Sequence, residues 1–386
     1  MTDETLMTDF LPTRAAGLER LAAFVPHAGR AYAEGRNSDP GPGAPSAVSR
    51  LSPWLRRRLV TEAEVVTAVL TEHRLVDAEK FVAEVLWRTY WKGWLELRPG
   101  IWRQFLAERD AARQLPIARA LAAAEAGATG IDGFDDWARE LVETGYLHNH
   151  ARMWFASIWI FTLRLPWALG ADFFLRHLID ADPASNTLSW RWVAGLQTAG
   201  KTYLATADNI ARCTGGRFSP QGLARTAVPI PGPPVPAAQP LRALSPLDPA
   251  ASTLLLVTPE DFHPEAVIAR PPNLRGAVVL ATDSGGPLAQ AFVAGGAADA
   301  AARVAAHYDC PVTLVTSVDD PALHAADQIV TACAPTGPIA DALAASHLPI
   351  MQVRRRWDAQ FWPHAQKGFF PFKERIPAIL AVEGIG

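Results

Sequence analysis

The stretch ETGYLHNHARMWFASIWIF (Glu143–Phe161), continued by LPWALGADFFLRHLIDADPASNTLSWRW (Leu165–Trp192), decides how the chain is read. His148, Asn149, His150, Arg152, Asp180, Asp182 and Asn186 sit among aromatic and aliphatic residues that have to form a core. Buried polar groups need hydrogen-bond partners, and buried charges need opposite charges or a ligand. A helix starting near Asn149 places Asn149, Arg152 and Met153 at i, i+3 and i+4, on one face. Such a face suits an occupant that is polar and flat.

Before this stretch the pattern is helical. Leu11–Tyr32 reads as one amphipathic helix, with Leu18, Leu21, Ala22 and Val25 on one face. RNSDPGPGAPSAVSR is a Gly/Pro/Ser-rich loop, and Ser52-Pro53 starts the next helix, with proline at its first position. Ser49, Arg50 and Ser52 at that loop-to-helix junction are of the types that hold phosphate; the plainer reading is a helix cap with a solvated Arg50. Thr61–Leu70 and Ala78–Leu97 are further helices, the second carrying Phe81, Glu84, Trp87, Arg88 and Trp91 on or near one face. An aromatic stripe is ordinarily core, but Glu84 within it needs a partner, and Arg88 four residues on can serve. Asp110–Ala126 reads as one helix, and another starts near Asp135.

After it, residues 198–218 are mixed, and TAVPIPGPPVPAAQPLRALSPLDP (Thr226–Pro249) is a Pro-rich linker. The texture then changes. STLLLVTPE, RGAVVLATD, CPVTLVTSV, ADQIVTACAP and LPIMQVR read as short buried strands separated by Ala-rich helices, the pattern of a parallel α/β sheet. No GxGxxG or P-loop follows the first strand, and Gly285-Gly286 and Gly295-Gly296 read as turns. The expected division is a helical domain over 1–225, a linker over 226–250 and an α/β, Rossmann-like domain over 251–386.

Composition narrows the function. At 386 residues and 49% hydrophobic content the chain can build two or three domains. A formal net charge of −3 gives no general basic field for nucleic acid, though a local groove remains open. Cys213, Cys310 and Cys333 are far apart and fit neither a disulfide framework nor a metal site. The N-terminal residues lack a signal-peptide pattern and no apolar run suits a membrane span, so a soluble cytoplasmic protein is expected. Of 13 tryptophans, all but Trp357 and Trp362 fall at or before Trp192, which suits a large helical core, aromatic ligands or electron transfer.

Four motifs in order resemble the FAD-binding domain of the DNA photolyase and cryptochrome family: Ser49-Arg50-Leu51-Ser52-Pro53; Glu84-Val85-Leu86-Trp87-Arg88; Thr144-Gly145-Tyr146-Leu147-His148-Asn149-His150-Ala151-Arg152-Met153; and Leu178-Ile179-Asp180-Ala181-Asp182 with Asn186, Trp190 and Trp192. The resemblance covers about Leu11 to Phe218. It implies an all-helical domain holding bent FAD, with Tyr32, Ser49, Arg50, Leu51 and Ser52 at the pyrophosphate and Phe81, Glu84 and Arg88 lining the cavity. Asn149, Arg152, Asp180, Asp182 and Asn186 would surround the isoalloxazine and ribityl. A fixed Arg152, held by Asp180, is a favourable counter-charge for a reduced flavin, and Asn186 matches the position that faces flavin N5. Glu84, Trp87, Asn149, Met153 and Trp192 match positions that hold a cyclobutane pyrimidine dimer, the two indoles stacking on flipped-out bases. Glu84 would hydrogen-bond a pyrimidine carbonyl and stabilise the radical anion of the dimer. Trp190 and Trp167 match two of three tryptophans of an electron relay, with Trp94 and Trp102 as candidates for the third.

The chain departs from the family pattern in four places. Val48 replaces a threonine and Phe81 a tryptophan. His150 stands where many photolyases carry a phosphate-binding arginine, which would make a grip on DNA pH-sensitive; Arg56, Arg57 and Arg58 could compensate, although such a run is more often solvated. The family's α/β antenna domain precedes its helical domain, whereas here an α/β domain follows. QKGFFPFKERIP (Gln366–Pro377) faintly resembles the segment that closes the antenna domain, so a displaced antenna-like domain is expected, with an unrelated α/β module as the alternative. The implied activity is light-driven repair of damaged DNA, of the deoxyribodipyrimidine photo-lyase type. The alternatives are a cryptochrome-like blue-light photoreceptor acting through a signalling partner and a flavin-binding relative without photochemistry.

Overall fold

In the computed structural model, which describes residues 9–386, helices fill the chain as far as Cys213 and a sheet follows from Thr253. Proline corrects two expected helices. Leu11–Tyr32 is broken into α1 (Arg14–Phe24), a 3-10 turn at Val25–His27 and α2 (Arg30–Gly35), because Pro26 donates no backbone hydrogen bond and crowds the preceding turn. Pro116 likewise separates α6 (Gly100–Ala112) from α7 (Ala118–Glu125). Between these lie α3 (Ser52–Arg56), α4 (Glu62–Glu72) and α5 (Leu75–Glu96). The start of α4 is fixed by a reciprocal cap, Glu64 N–H donating to the Thr61 hydroxyl at 3.3 Å and Thr61 N–H to the Glu64 carboxylate at 2.9 Å. The opening stretch supplies α9 (Asn149–Ser157), α10 (Trp167–His177) and α11 (Pro183–Val193), after α8 (Phe134–Thr144); α12 (Ala207–Cys213) follows.

Residues 226–249 form neither helix nor strand, and three backbone groups pin this segment to the helical side: Ile230 N–H donates to Ala194 O, Arg98 Nε to Pro236 O and Gln239 N–H to Leu97 O, at 3.1, 3.0 and 2.8 Å. The five expected strands are present as β1 (Thr253–Val257), β2 (Leu274–Leu280), β3 (Val312–Val315), β4 (Gln328–Ala332) and β5 (Ile350–Val353). All neighbours are parallel, in the order β3-β2-β1-β4-β5, the doubly wound arrangement. Gly295 and Gly296 are not a turn. They lie inside α13 (Pro287–Tyr308), where a Cβ on Gly295 would strike Pro12 and one on Gly296 would meet Phe262 at 3.0 Å and Leu59 at 3.5 Å. The pair lets the sheet domain approach the helical one.

The arginine run is the largest correction. Arg56, Arg57 and Arg58 are 2%, 0% and 1% exposed, so they neither face solvent nor reach a phosphate backbone. Arg56 donates to both Glu260 oxygens (2.6 and 2.7 Å) and to Ala181 O, Arg57 pairs with Asp283, and Arg58 donates to both Asp358 oxygens (2.8 and 2.7 Å). Those carboxylates lie 204, 226 and 300 residues downstream, so nothing local in the sequence announces them. α14 (Pro338–Ala345) lies between β4 and β5, and after β5, α15 (Arg356–Phe361), α16 (Phe369–Lys373) and α17 (Ile376–Val382) complete the chain, α15 and α16 packing on α5.

Candidate functional site

The site is built where α9 and the turn before α11 meet. Gly145 ends α8 at φ +66°, and a Cβ there would lie 2.6 Å from Ile179. Only glycine accepts both the left-handed backbone and that approach. Ile179 N–H donates to Gly145 O at 2.9 Å, which sets Asp180 beneath Arg152. Arg152 then donates to both Asp180 oxygens (3.1 and 2.9 Å) and, from Nε, to Leu147 O (3.0 Å). Burial alone would raise the Asp180 carboxyl; the Arg152 guanidinium outweighs it and holds the group below the usual carboxylate range. The sequence reading of Arg152 held by Asp180 thus corresponds to a forked ion pair, with 24% of the Arg152 side chain still open.

Asp182 caps α11, accepting from Ser185 N–H at 2.8 Å, and its second oxygen faces Lys92 (3.4 Å), Arg88 (3.6 Å) and Arg56 (4.0 Å). Despite full burial these three cations keep it ionised far into acid. Asn186 is buried and donates to Ala171 O at 2.9 Å. Arg88 therefore serves Asp182 rather than Glu84; Glu84 pairs with Arg36 at 3.0 Å, a partner 48 residues away. Burial pushes the Glu84 carboxyl up, against the pull of Arg36.

Ser49, Arg50 and Ser52 are half-open, and Arg50 adopts φ +54°. Its guanidinium stacks 4.8 Å from the Phe10 ring and 4.9 Å from Tyr146 and pairs with Asp9 at 3.2 Å. The Leu51 side chain is core, so only its backbone can face a ligand. Tyr32 and Phe81, 4% and 3% exposed, meet edge to face at 5.1 Å and form a wall behind the site.

Val48, Ser49, Arg50, Ser52, Glu84, Trp87, Arg88, Tyr146, Arg152, Met153, Ser185 and Trp192 are all half-open and Asn149 is exposed, although they stand on elements whose other residues are core. Arg50 Nε and the Ser185 hydroxyl are among the buried polar atoms without a hydrogen-bond partner in the described residues, and Arg88 Nη1 has only Asp182, at 3.6 Å. An unpartnered guanidinium N–H on Arg50 and the Ser185 hydroxyl, beside the fixed charge of Arg152, fit an elongated anionic cofactor such as FAD.

His150 is held neutral. Burial, reinforced by His148, lowers its pKa to about 4, so the expected pH-sensitive phosphate grip does not fall near neutrality. Trp190 is buried against Phe174 and Trp159 at 5.1 and 6.2 Å between ring centres. Trp167 donates from Nε1 to Glu108 at 2.8 Å and reaches Trp102 through Phe105, at 5.7 and 5.3 Å; Trp94 instead stacks under Arg98. Sequence reasoning missed Arg36, Lys92 and Glu108. Glu108, an acid on an aromatic-rich helix, carried the only local signal.

Residues 81–222 match the family model of the FAD binding domain of DNA photolyase. The chain is similar to deoxyribodipyrimidine photo-lyases of Streptomyces griseus (38% identity, covering 40% of this chain and 34% of the relative), Agrobacterium fabrum (34%; 48% and 38%) and Thermus thermophilus (33%; 55% and 49%). It thus spans between a third and a half of the length of these relatives. Among solved structures it is similar to a class III photolyase of Agrobacterium tumefaciens (28% identity, TM-score 0.45, covering 56% of this chain and 46% of that one) and a Synechocystis cryptochrome (23%, 0.43, 53% and 43%). FAD is the cofactor of the helical domain.

Proposed function

We propose, on the premise that residues 81–222 are a photolyase-type FAD binding domain, that the protein repairs cyclobutane pyrimidine dimers in DNA by light-driven electron transfer. The half-open residues Glu84, Trp87, Met153, Arg152 and Trp192 carry this reading, because matched cofactor and lesion positions alike stay accessible to a ligand amid core. Bound and reduced, FAD supplies the electron on excitation by blue light. Arg50, Arg88 and Ser52 hold the pyrophosphate end, while Arg152, fixed by Asp180, supplies a stationary positive charge beside the ring system. Asn186, neutral and anchored on Ala171 O, offers an amide without repelling negative charge. Glu84, its carboxyl pushed up by burial, donates or accepts a hydrogen bond at a pyrimidine carbonyl, and Trp87 and Trp192 stack on the flipped-out bases. Trp190, Trp167 and Trp102 serve electron resupply. The sheet domain is read as a displaced antenna-like domain, supported by its five parallel strands.

Blue light on the reduced protein with a dimer-containing oligonucleotide is expected to restore the bases. The second reading is a cryptochrome-like photoreceptor with a signalling partner. It is favoured by one feature: Arg56, Arg57 and Arg58 are consumed by internal carboxylates and His150 is neutral, which reduces the cationic surface available to DNA. A yellow, flavin-bound protein that restores no bases in single or double strands would select it.

A further inference from the structure

We propose that Phe369 and Tyr203 are positioning residues, which back the Trp87 and Trp192 indoles and hold them as a pre-set pair of stacking platforms for a flipped-out pyrimidine dimer. This rests on the repair reading above. The Trp87 and Phe369 rings lie parallel, 3.7 Å apart with an interplanar angle of 11°. On α5, at 3.6 residues per turn, Glu84 and Arg88 lie to one side of Trp87 and Tyr90 to the other. Phe369 also meets the Tyr90 edge at 5.6 Å, so it covers Trp87 from the flank away from Glu84 and Arg88. Trp87 nevertheless stays half-open, while Phe369 is 5% exposed. Phe369 stacks on one face of the indole, Tyr90 and Trp91 meet it at 5.5 and 5.2 Å, and part of the indole stays open.

The backing is itself tied down. Tyr90 donates its hydroxyl to Lys367 O at 2.6 Å, Arg98 Nη2 donates to Gln366 O at 2.6 Å, and Lys373 pairs with Glu79 at 2.7 Å. Trp192 is treated the same way: Tyr203 stacks on it at 5.7 Å and 27°, and Tyr203 N–H is held on Val193 O at 3.2 Å. A half-open indole without backing samples several rotamers, and ordering it on binding costs free energy. Both indoles have that cost removed in advance. Phe369 lies outside the segment matching the FAD binding domain, so the C-terminal helices become part of the site.

Phe369→Leu keeps an apolar side chain and removes the stacked face. In the dark, its Kd for an oligonucleotide carrying one cyclobutane dimer is expected to rise about five- to tenfold, the worth of one aromatic pair, with flavin content and affinity for undamaged strand unchanged. Tyr203→Leu is expected to act in the same direction, and Phe369→Tyr to restore wild-type affinity. Wild-type dimer affinity in Phe369→Leu would overturn the backing role; a wild-type protein that does not prefer the dimer would overturn the repair reading and the lesion platform with it. A second measurement is independent of DNA. In fluorotryptophan-labelled protein, the Trp87 resonance, assigned by its loss in Trp87→Phe, is expected to shift and broaden in Phe369→Leu. An unchanged resonance would also overturn the backing.

Discussion

Arg56, Arg57 and Arg58 at the domain interface and Arg50 and Arg88 at the candidate site differ in exposure and in the reach of their partners. The first three are at most 2% exposed, and each spends its guanidinium on a carboxylate of the sheet domain. The second two are half-open, Arg50 pairing with Asp9 at 3.2 Å and Arg88 facing Asp182 at 3.6 Å. A fully buried charge paired across two domains holds the chain together, whereas a charge left partly open can still take a ligand. Arg152 stands between the two, forked onto Asp180 with about a quarter of its side chain still exposed.

The comparison breaks most visibly at the interface. Arg58→Met leaves Asp358 buried and unpaired and is expected to cost about 3–5 kcal/mol in a denaturant unfolding series. Adding Asp358→Leu is expected to recover a large part of that loss. If Arg58→Met unfolds like the wild type, the interface arginines do not hold the two domains together.

This interface also marks where the sequence stops being informative. The five strands, the linker, the helix at Ser52 and the four motifs were legible because periodicity, proline and local spacing encode them. The forked pair of Arg152 with Asp180 was legible through the motifs. The partners of Arg56, Arg57 and Arg58, the Arg36–Glu84 pair and the Phe369–Trp87 stack were not, since each joins residues tens to hundreds of positions apart and depends on how the domains dock. The Gly295-Gly296 pair reads as a turn locally and becomes an approach point only once Pro12 and Leu59 of the helical domain face it. Pro26 and Pro116 were legible in principle and outweigh the apolar periodicity that had suggested unbroken helices.

His150 gives a smaller effect. The native ring takes up a proton only near pH 4, while the unfolded ring does so below about 6.5. Protons therefore bind the unfolded chain preferentially in that window, and this contribution to stability is lost as pH falls from about 6.5 to 4. His150→Asn is expected to flatten the profile there, in unfolding curves recorded at several pH values. At neutral pH His150→Arg adds a permanent charge, and is expected to tighten DNA binding and steepen its salt dependence by about one ion. A wild-type DNA affinity that rises sharply between pH 7.5 and 6 would mean that His150 does charge near neutrality.

The most direct test of the contrast between the two arginine groups is titration of the flavin-free protein with FAD, followed by calorimetry, for the wild type and for Arg50→Ala with Arg88→Met. Each substitution removes a charged donor worth about 1.5–3 kcal/mol to an anionic ligand. The account predicts that the double variant binds FAD at least about a hundredfold more weakly than the wild type. FAD affinity unchanged in the double variant would contradict it.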